Sequence, residues 1–424
     1  VNLYSTTLAV VASATTLCPA LAAEVEIFPG DSFKAAFESL AAGDTLIVHE
    51  GTYSEDGPRI RINAQGTESA PIVVTGATGE ARPLITRPAN STPQNTINIE
   101  GATYVTIRGL EISGNGDGIN MKGQPHHITI EDNEIHDIAV GINFRSSMDS
   151  IFVRRNHIYN TRGTAEGIYV GCNNATCAVS NSVIEQNWIH DTTGSQGDGI
   201  EVKYGSWGNI IRDNVIHDAN FPCILAYGVT DEHVDRPNII EGNVVWNCGQ
   251  SIDVVADAVV RNNIVIGTLE TQSHVQVPVQ RNVTIVNNTV IGNVRLRGWG
   301  GNSNPASMIV ANNAVYGGSI RDEPGAATYA SNQEYGNGTA GIFVDPDDRD
   351  FWPAPGSPLI GAGNPLHAAP LDFNGSIRAA PVDVGAYESD GLAANPGWPL
   401  QPGLKGDAEQ DRVAPKAPED LITD

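Results

Sequence analysis

The chain has 424 residues, with 45 Gly, 25 Pro and only 6% aromatic residues; there is no strict Gly-X-Y period, and the composition argues against collagen and against a helical bundle. Asp and Glu outnumber Lys and Arg 49 to 24, a net charge of −25, so the basic footprint of a nucleic-acid binder is missing.

In chain order, residues 1–22 come first. Leu8 to Ala22 is apolar and short, and Ala20-Leu21-Ala22 has the small-x-small form of a signal-peptidase site. The expectation is a secreted or periplasmic protein. No run is long enough to predict a membrane span. Ser32 followed by FKAAFESL predicts a short N-capped helix, and GDTLIVHEGTY the first strand, so residues 23–55 form an N-terminal cap.

From about residue 100 one phrase recurs: a β-branched strand, Asn, any residue, Ile or Val, then an aromatic residue or His. Its instances are IEDNEIH, VRRNHIY, IEQNWIH, IRDNVIH, IEGNVVW, VRNNIVI, IVNNTVI and VANNAVY. The asparagines are Asn133, Asn156, Asn187, Asn214, Asn243, Asn263, Asn288 and Asn313, spaced 20 to 31 residues apart. Short strands at that period predict a β-solenoid whose rungs stack about 4.8 Å apart and share one core. The fold class is all-β, a parallel β-helix, with the asparagines stacked as a ladder. The pattern resembles right-handed parallel β-helix proteins over residues 24–388. Residues 340–388, with PGSPLIGAG and VDVGAYE, match the C-terminal rung of such proteins, and the Pro-rich acidic stretch 389–424 is expected to be a disordered tail.

Rungs in register allow columns to be read. Glu131, Arg154, Glu185, Arg212, Glu241 and Arg261 alternate in charge and are expected to pair up the stack. His136, Tyr159, His190, His217 and Trp246 form an aromatic column, read as stacking rather than a metal site. Cys172 and Cys177 close a tight loop, and Cys223 and Cys248 lie one repeat apart, a count suited to two disulfides.

A third set of segments differs: GDGINMK, AVGINFR, AEGIYVG, GDGIEVK, FPCILAY and QSIDVVA. With each Ile inward, the next residue faces out, giving Asn120, Asn143, Tyr169, Glu201, Leu225 and Asp253. Two residues on stand Lys122, Arg145, Gly171, Lys203, Tyr227 and Val255. Lys122 and Lys203 are the only lysines between residues 35 and 404. No core requirement asks for Asp, Glu and Lys in GDGIEVK.

A long shallow face suits an extended polymer, and a uronic-acid polysaccharide (pectate, alginate or a glycosaminoglycan) is the expected partner. β-Elimination needs the uronate carboxylate neutralised and a base nearby. Lys203 is the candidate base, Tyr227 the acid and Arg145 a third catalytic group. Lys122, Asn143, Tyr169, Tyr204 and Trp207 are candidate substrate contacts. Asp198, Glu201 and Glu166 supply hard oxygen ligands for a Ca²⁺ ion.

GDGIEVKYGSWGNIIRDN is similar to the segment of chondroitinase B and related alginate lyases in which acidic calcium ligands precede a basic Lys. The resemblance implies Lys203 as the base and Asp198 as a calcium ligand. Where that family carries a catalytic Arg, this chain has Ala226 and Tyr227. The expectation is thus a secreted, monomeric polysaccharide lyase. A uronan C5-epimerase, an inverting glycoside hydrolase and a non-catalytic carbohydrate-binding β-helix are the alternatives.

Overall fold

The computed structural model describes residues 22–88, 94–298 and 302–406. The predicted leader and the end of the predicted tail lie outside them. No helix among the described residues is long and apolar enough to cross a membrane.

The chain coils into rungs whose strands stack in parallel on three faces. One face runs through Thr103–Arg108, His126–Glu131, Met148–Arg154, Val183–Glu185 and Ile210–Arg212. A second runs through Glu134–His136, His157–Thr161, Trp188–Thr192 and Val215–Ala219. The third runs through Ile119–Lys122, Ile142–Phe144, Ile168–Val170, Ile200–Val202, Ile224–Ala226 and Ile252–Val254. The last two faces merge in the long strands Ile264–Gln272 and Thr289–Arg297. Inward Ile and Val from every rung form one continuous core along the axis.

The asparagine ladder is present and holds the register. Each side-chain amide donates to the next rung's Asn Oδ1, as from Asn133 to Asn156 (3.0 Å), Asn187 to Asn214 (3.0 Å) and Asn214 to Asn243 (2.9 Å). It also donates to a backbone carbonyl of the rung before, as Asn156 does to Ile130 O at 2.9 Å. The ladder runs one step further than predicted, to Asn332. Each ladder residue is preceded by one in the left-handed region, among them Asp132, Asp213, Gly242 and Asn262. That bend explains the Asp, Asn and Gly found there, since these types enter it at least cost.

The predicted columns are observed. Arg154 Nε meets Glu131 at 2.7 Å, Arg212 Nη2 meets Glu185 at 2.6 Å and Arg261 Nε meets Glu241 at 2.6 Å. Arg212 is therefore structural. His136, Tyr159, His190, His217 and Trp246 stack face to face with centroids 4.3 to 5.3 Å apart. Both disulfides pair as the spacing suggests, Cys172 with Cys177 and Cys223 with Cys248.

At the N-terminal end the helix Phe33–Glu38 is capped by Ser32, whose Oγ accepts from Ala35 N. Its Phe33 and Phe37 are fully buried and close the first rungs. The C-terminal end departs from expectation. Residues 340–388 do not form a rung. After the antiparallel hairpin of Phe343–Asp345 and Asp350–Pro353, the chain folds back along the outside of the coil. Trp352, Phe373 and Tyr387 pack there on Val215, Trp246, Ile264 and Tyr316 in a second apolar cluster. Asn287 and Asn312 fasten this strap by accepting from Ala369 N and Asn364 N. Nor is the chain a disordered tail from residue 389. Trp398 and Leu400 pack on the same cluster, and Lys405 Nζ bonds Gly242 O at 2.9 Å beside Asp213. Composition misled here because Pro and Gly suit a strap that borrows its apolar partners from the coil.

Asn214→Ala is expected to strip the Asn187 backbone N–H and side-chain amide of their shared acceptor. Two buried donors without partners cost about 1–3 kcal/mol each. Urea unfolding should show a loss of several kcal/mol; a loss below about 1 kcal/mol would contradict a ladder that carries register.

Candidate active site

The register of the third face matches the sequence alignment. Asn120, Asn143, Tyr169, Glu201, Leu225 and Asp253 pair in turn up the stack. The turn before each strand is kept tight by Gly118, Gly141, Gly167 and Gly199. A Cβ at Gly199 would sit 2.4 Å from the carbonyl oxygen of Cys223 in the next rung. These glycines let Glu166 and Asp198 stand directly beside the strand residues that follow.

Lys203 does not face the hydrophobic core. It is only 6% exposed, and its Nζ is ion-paired with Glu201 and lies 4.9 Å from the ring centroids of both Tyr169 and Tyr227. It floors a cleft of about 290 Å³ with Asp198, Glu201, Tyr169, Tyr227 and the loop residues His274 and Gln276. A neighbouring chamber of about 430 Å³ shares Tyr169, Asn173 and Gln196 with that cleft and holds Asp117, Asn143, Arg145 and Glu166. Together they make a trough along the axis.

The trough is lined by carboxyls held away from water. Asp198 is 2% exposed, and burial pushes its carboxyl well above the usual range, helped by the like charges of Glu201 and Glu166. Burial likewise raises Glu166 and Asp117. Asp198 Oδ1 and Glu166 Oε2 have no hydrogen-bond partner among the described residues. Burial, with Glu201 adding to it, raises the phenols of Tyr227 and Tyr169, which therefore stay protonated donors over the ordinary pH range.

The structure thus brings together Lys203, Tyr227, Tyr169, Asp198 and Glu201, with Glu166, Arg145 and Asn143 in the adjoining chamber. Asn143 donates to Asp117 at 3.0 Å. Three candidates fall elsewhere. Lys122 Nζ pairs with Glu100 at 3.4 Å and lines neither chamber, because the acid one rung below is its nearest partner. Trp207 stacks on His233 at 4.2 Å beneath the Arg236 guanidinium. Tyr204 packs behind Tyr227 with Val255, Ala256 and Val277. Among the described residues no three His, Cys, Asp or Glu side chains are arranged to hold a metal ion. Glu201 is engaged by Lys203, and burial raises the carboxyls of Asp198 and Glu166. This trio does not fit a preformed calcium cage.

His274 and Gln276 were not foreseen. They sit on a loop after Ile264–Gln272, outside the repeat. His274 packs edge-on against Tyr227 at 4.7 Å, and Gln276 Oε1 accepts from Asn174 N, in the Cys172–Cys177 loop, at 3.4 Å. The two loops meet across the cleft. The interrupted period at ETQSHVQVPVQ is the one sequence signal that marks this insertion.

The family described as the right handed beta helix region matches residues 89–234 and 180–315, together more than half of the chain, and the chain belongs to it. No curated protein matches the sequence. Among solved structures, pectate lyase Pel9A aligns with a TM-score of 0.53 at 17% identity, covering 84% of this chain and 90% of its own. The mannuronan C-5 epimerase AlgE6 A-module of Azotobacter vinelandii aligns with a TM-score of 0.55 at 14% identity, over 72% and 90%. The complex of XylC with xylose gives 0.55 at 11% identity, over 86% and 98%. Such identities establish a shared coil.

Further up the column, burial pushes Asp253 to about 7, with the Gln272 amide opposing and Glu270 adding to the rise. The folded chain therefore holds this proton more tightly than the unfolded chain. Folding is favoured at low pH, and this contribution is lost as pH climbs from about 4 toward 7. Asp253→Asn is expected to lessen the fall in Tm between pH 5 and pH 8. Scanning fluorimetry checks this, and an equal fall in both proteins would refute it.

Proposed function

We propose that this chain is a polysaccharide lyase that cleaves a uronic-acid polymer by β-elimination. One observation carries the reading: the lone lysine of the trough is desolvated between two tyrosine rings, with a carboxylate in contact. Relatives of the same coil named for pectate and mannuronan support it. The two disulfides support a secreted or periplasmic location.

Lys203 must be neutral to act as a base. Glu201, in contact with the Lys203 Nζ, is the group in position to take its proton. The amine then takes the proton α to the uronate carboxylate. The electron pair left behind forms the new C=C bond as the bond to the leaving oxygen breaks, and Tyr227 protonates that oxygen. Burial, which raises both carboxyls, lessens the repulsion that Asp198 and Glu166 offer the uronate carboxylate. No step is routed through calcium.

A second reading is favoured by the Asp198–Glu201 pair. An acid with a raised pKa beside a carboxylate held by Lys203 is the division of labour a glycoside hydrolase requires.

Incubation with pectate, alginate and glycosaminoglycans separates the two. The lyase forms an unsaturated product seen by its ultraviolet absorbance; the hydrolase forms reducing ends without it. Lys203→Ala is expected to lower kcat by about 10²–10⁴-fold and Tyr227→Phe by about 10²-fold, with turnover persisting in chelator. Chain cleavage with no unsaturated product, or a fully active Lys203→Ala variant, sinks the lyase mechanism.

A further inference from the structure

We propose that Arg87 anchors a second subsite, which takes the carboxylate of another uronic-acid unit on the same glycan. The proposal rests on the uronan reading of the trough. Arg87 directly follows the strand Leu84–Thr86, and the next strand of its rung is Ile97–Glu100. Four pairings separate that rung from the one bearing Lys203, roughly 19 Å at about 4.8 Å per rung.

Arg87 is 3% exposed, yet it has no ion pair among the described residues. Its Nη2 donates to Gly57 O at 2.8 Å, while Nε and Nη1 have no hydrogen-bond partner among the described residues. A buried guanidinium with two idle donors is costly unless a planar oxyanion completes it, and its fork geometry matches a carboxylate. Burial dominates its electrostatics; Asp56 and Glu55 act on it only through space.

These donors border a cavity of about 470 Å³, enough for a sugar, which also reaches Ser113, Asn115 and Arg162. Its acid, Asp137, is already bound by His136 at 2.9 Å and by Arg162. The cavity is lined by two positive side chains, Arg87 and Arg162, against the single Asp137. Gly114 keeps it open: at φ +158°, a Cβ would lie 2.6 Å from Thr96 Oγ1 and 3.4 Å from Arg87 Cβ. Ala139 lines both this cavity and the Arg145 chamber, so one chain can pass from Arg87 to Lys203.

Full-length wild type and Arg87→Met are titrated with D-galacturonate oligomers, D-galactose and inorganic sulfate, with binding read by calorimetry. The subsite predicts at least tenfold weaker oligomer binding in Arg87→Met and no dependence on Arg87 for galactose. It also predicts a Tm equal to or above wild type, since an unpaired buried charge has gone. Where polymer is cleaved, KM for long chains should rise about tenfold. Equal oligomer affinity in the two proteins overturns the subsite even if wild type is an active lyase. Arg87-dependent oligomer binding supports it even if no uronan is cleaved, which would defeat only the lyase reading. Sulfate bound as tightly as the oligomer would overturn the assignment to a sugar carboxylate.

Discussion

The hydrogen bond from one ladder asparagine to the next is the constraint on which the site depends. It joins residues 19 or more positions apart at a fixed rise, and it is buried, so a slipped rung would strand donors in the core. Register on the third face follows from register at this corner. Only because Ile200 lies over Ile168 and under Ile224 do Tyr169, Lys203 and Tyr227 form a three-layer stack. A loop-built site would have to order those side chains at an entropic cost that the coil has already met.

The stack also sets the electrostatics. Lys203 is the single cation among Glu166, Asp198, Glu201 and the two phenols, and all but the half-buried Tyr169 are shielded from solvent. Burial and mutual repulsion raise the carboxyls of Asp198 and Glu166, while Glu201 is engaged by Lys203.

Much of the architecture was legible because the repeat writes the same requirement many times. The Asn ladder, the Glu–Arg column, the aromatic stack and the inward Ile are each repeated, and each appeared where the alignment put it. The site was legible only where it inherits that register: Lys203, Glu201 and Tyr169 through the strand, Asp198 and Glu166 through the turn. What belongs to no repeat was lost. Trp207 is taken by His233 and Arg236 across pairings that no period announces, whereas Lys122 is taken by Glu100 in register, on a rung below the aligned segments. His274 and Gln276 come from an insertion. Arg87 precedes the regular rungs altogether, so its isolation is visible only in three dimensions.

The strap of residues 342–405 changes what kind of solid the coil is. A solenoid in which each rung touches only its neighbours behaves as a linear array and can fray from an end. Here one continuous segment is fastened at Gly242, Asn262, Asn287 and Asn312 in turn. Those levels cannot open one at a time without first peeling the segment away. The distal half of the coil is thereby bound to lose its structure as one cooperative block, and its boundary falls within a rung or two of the trough.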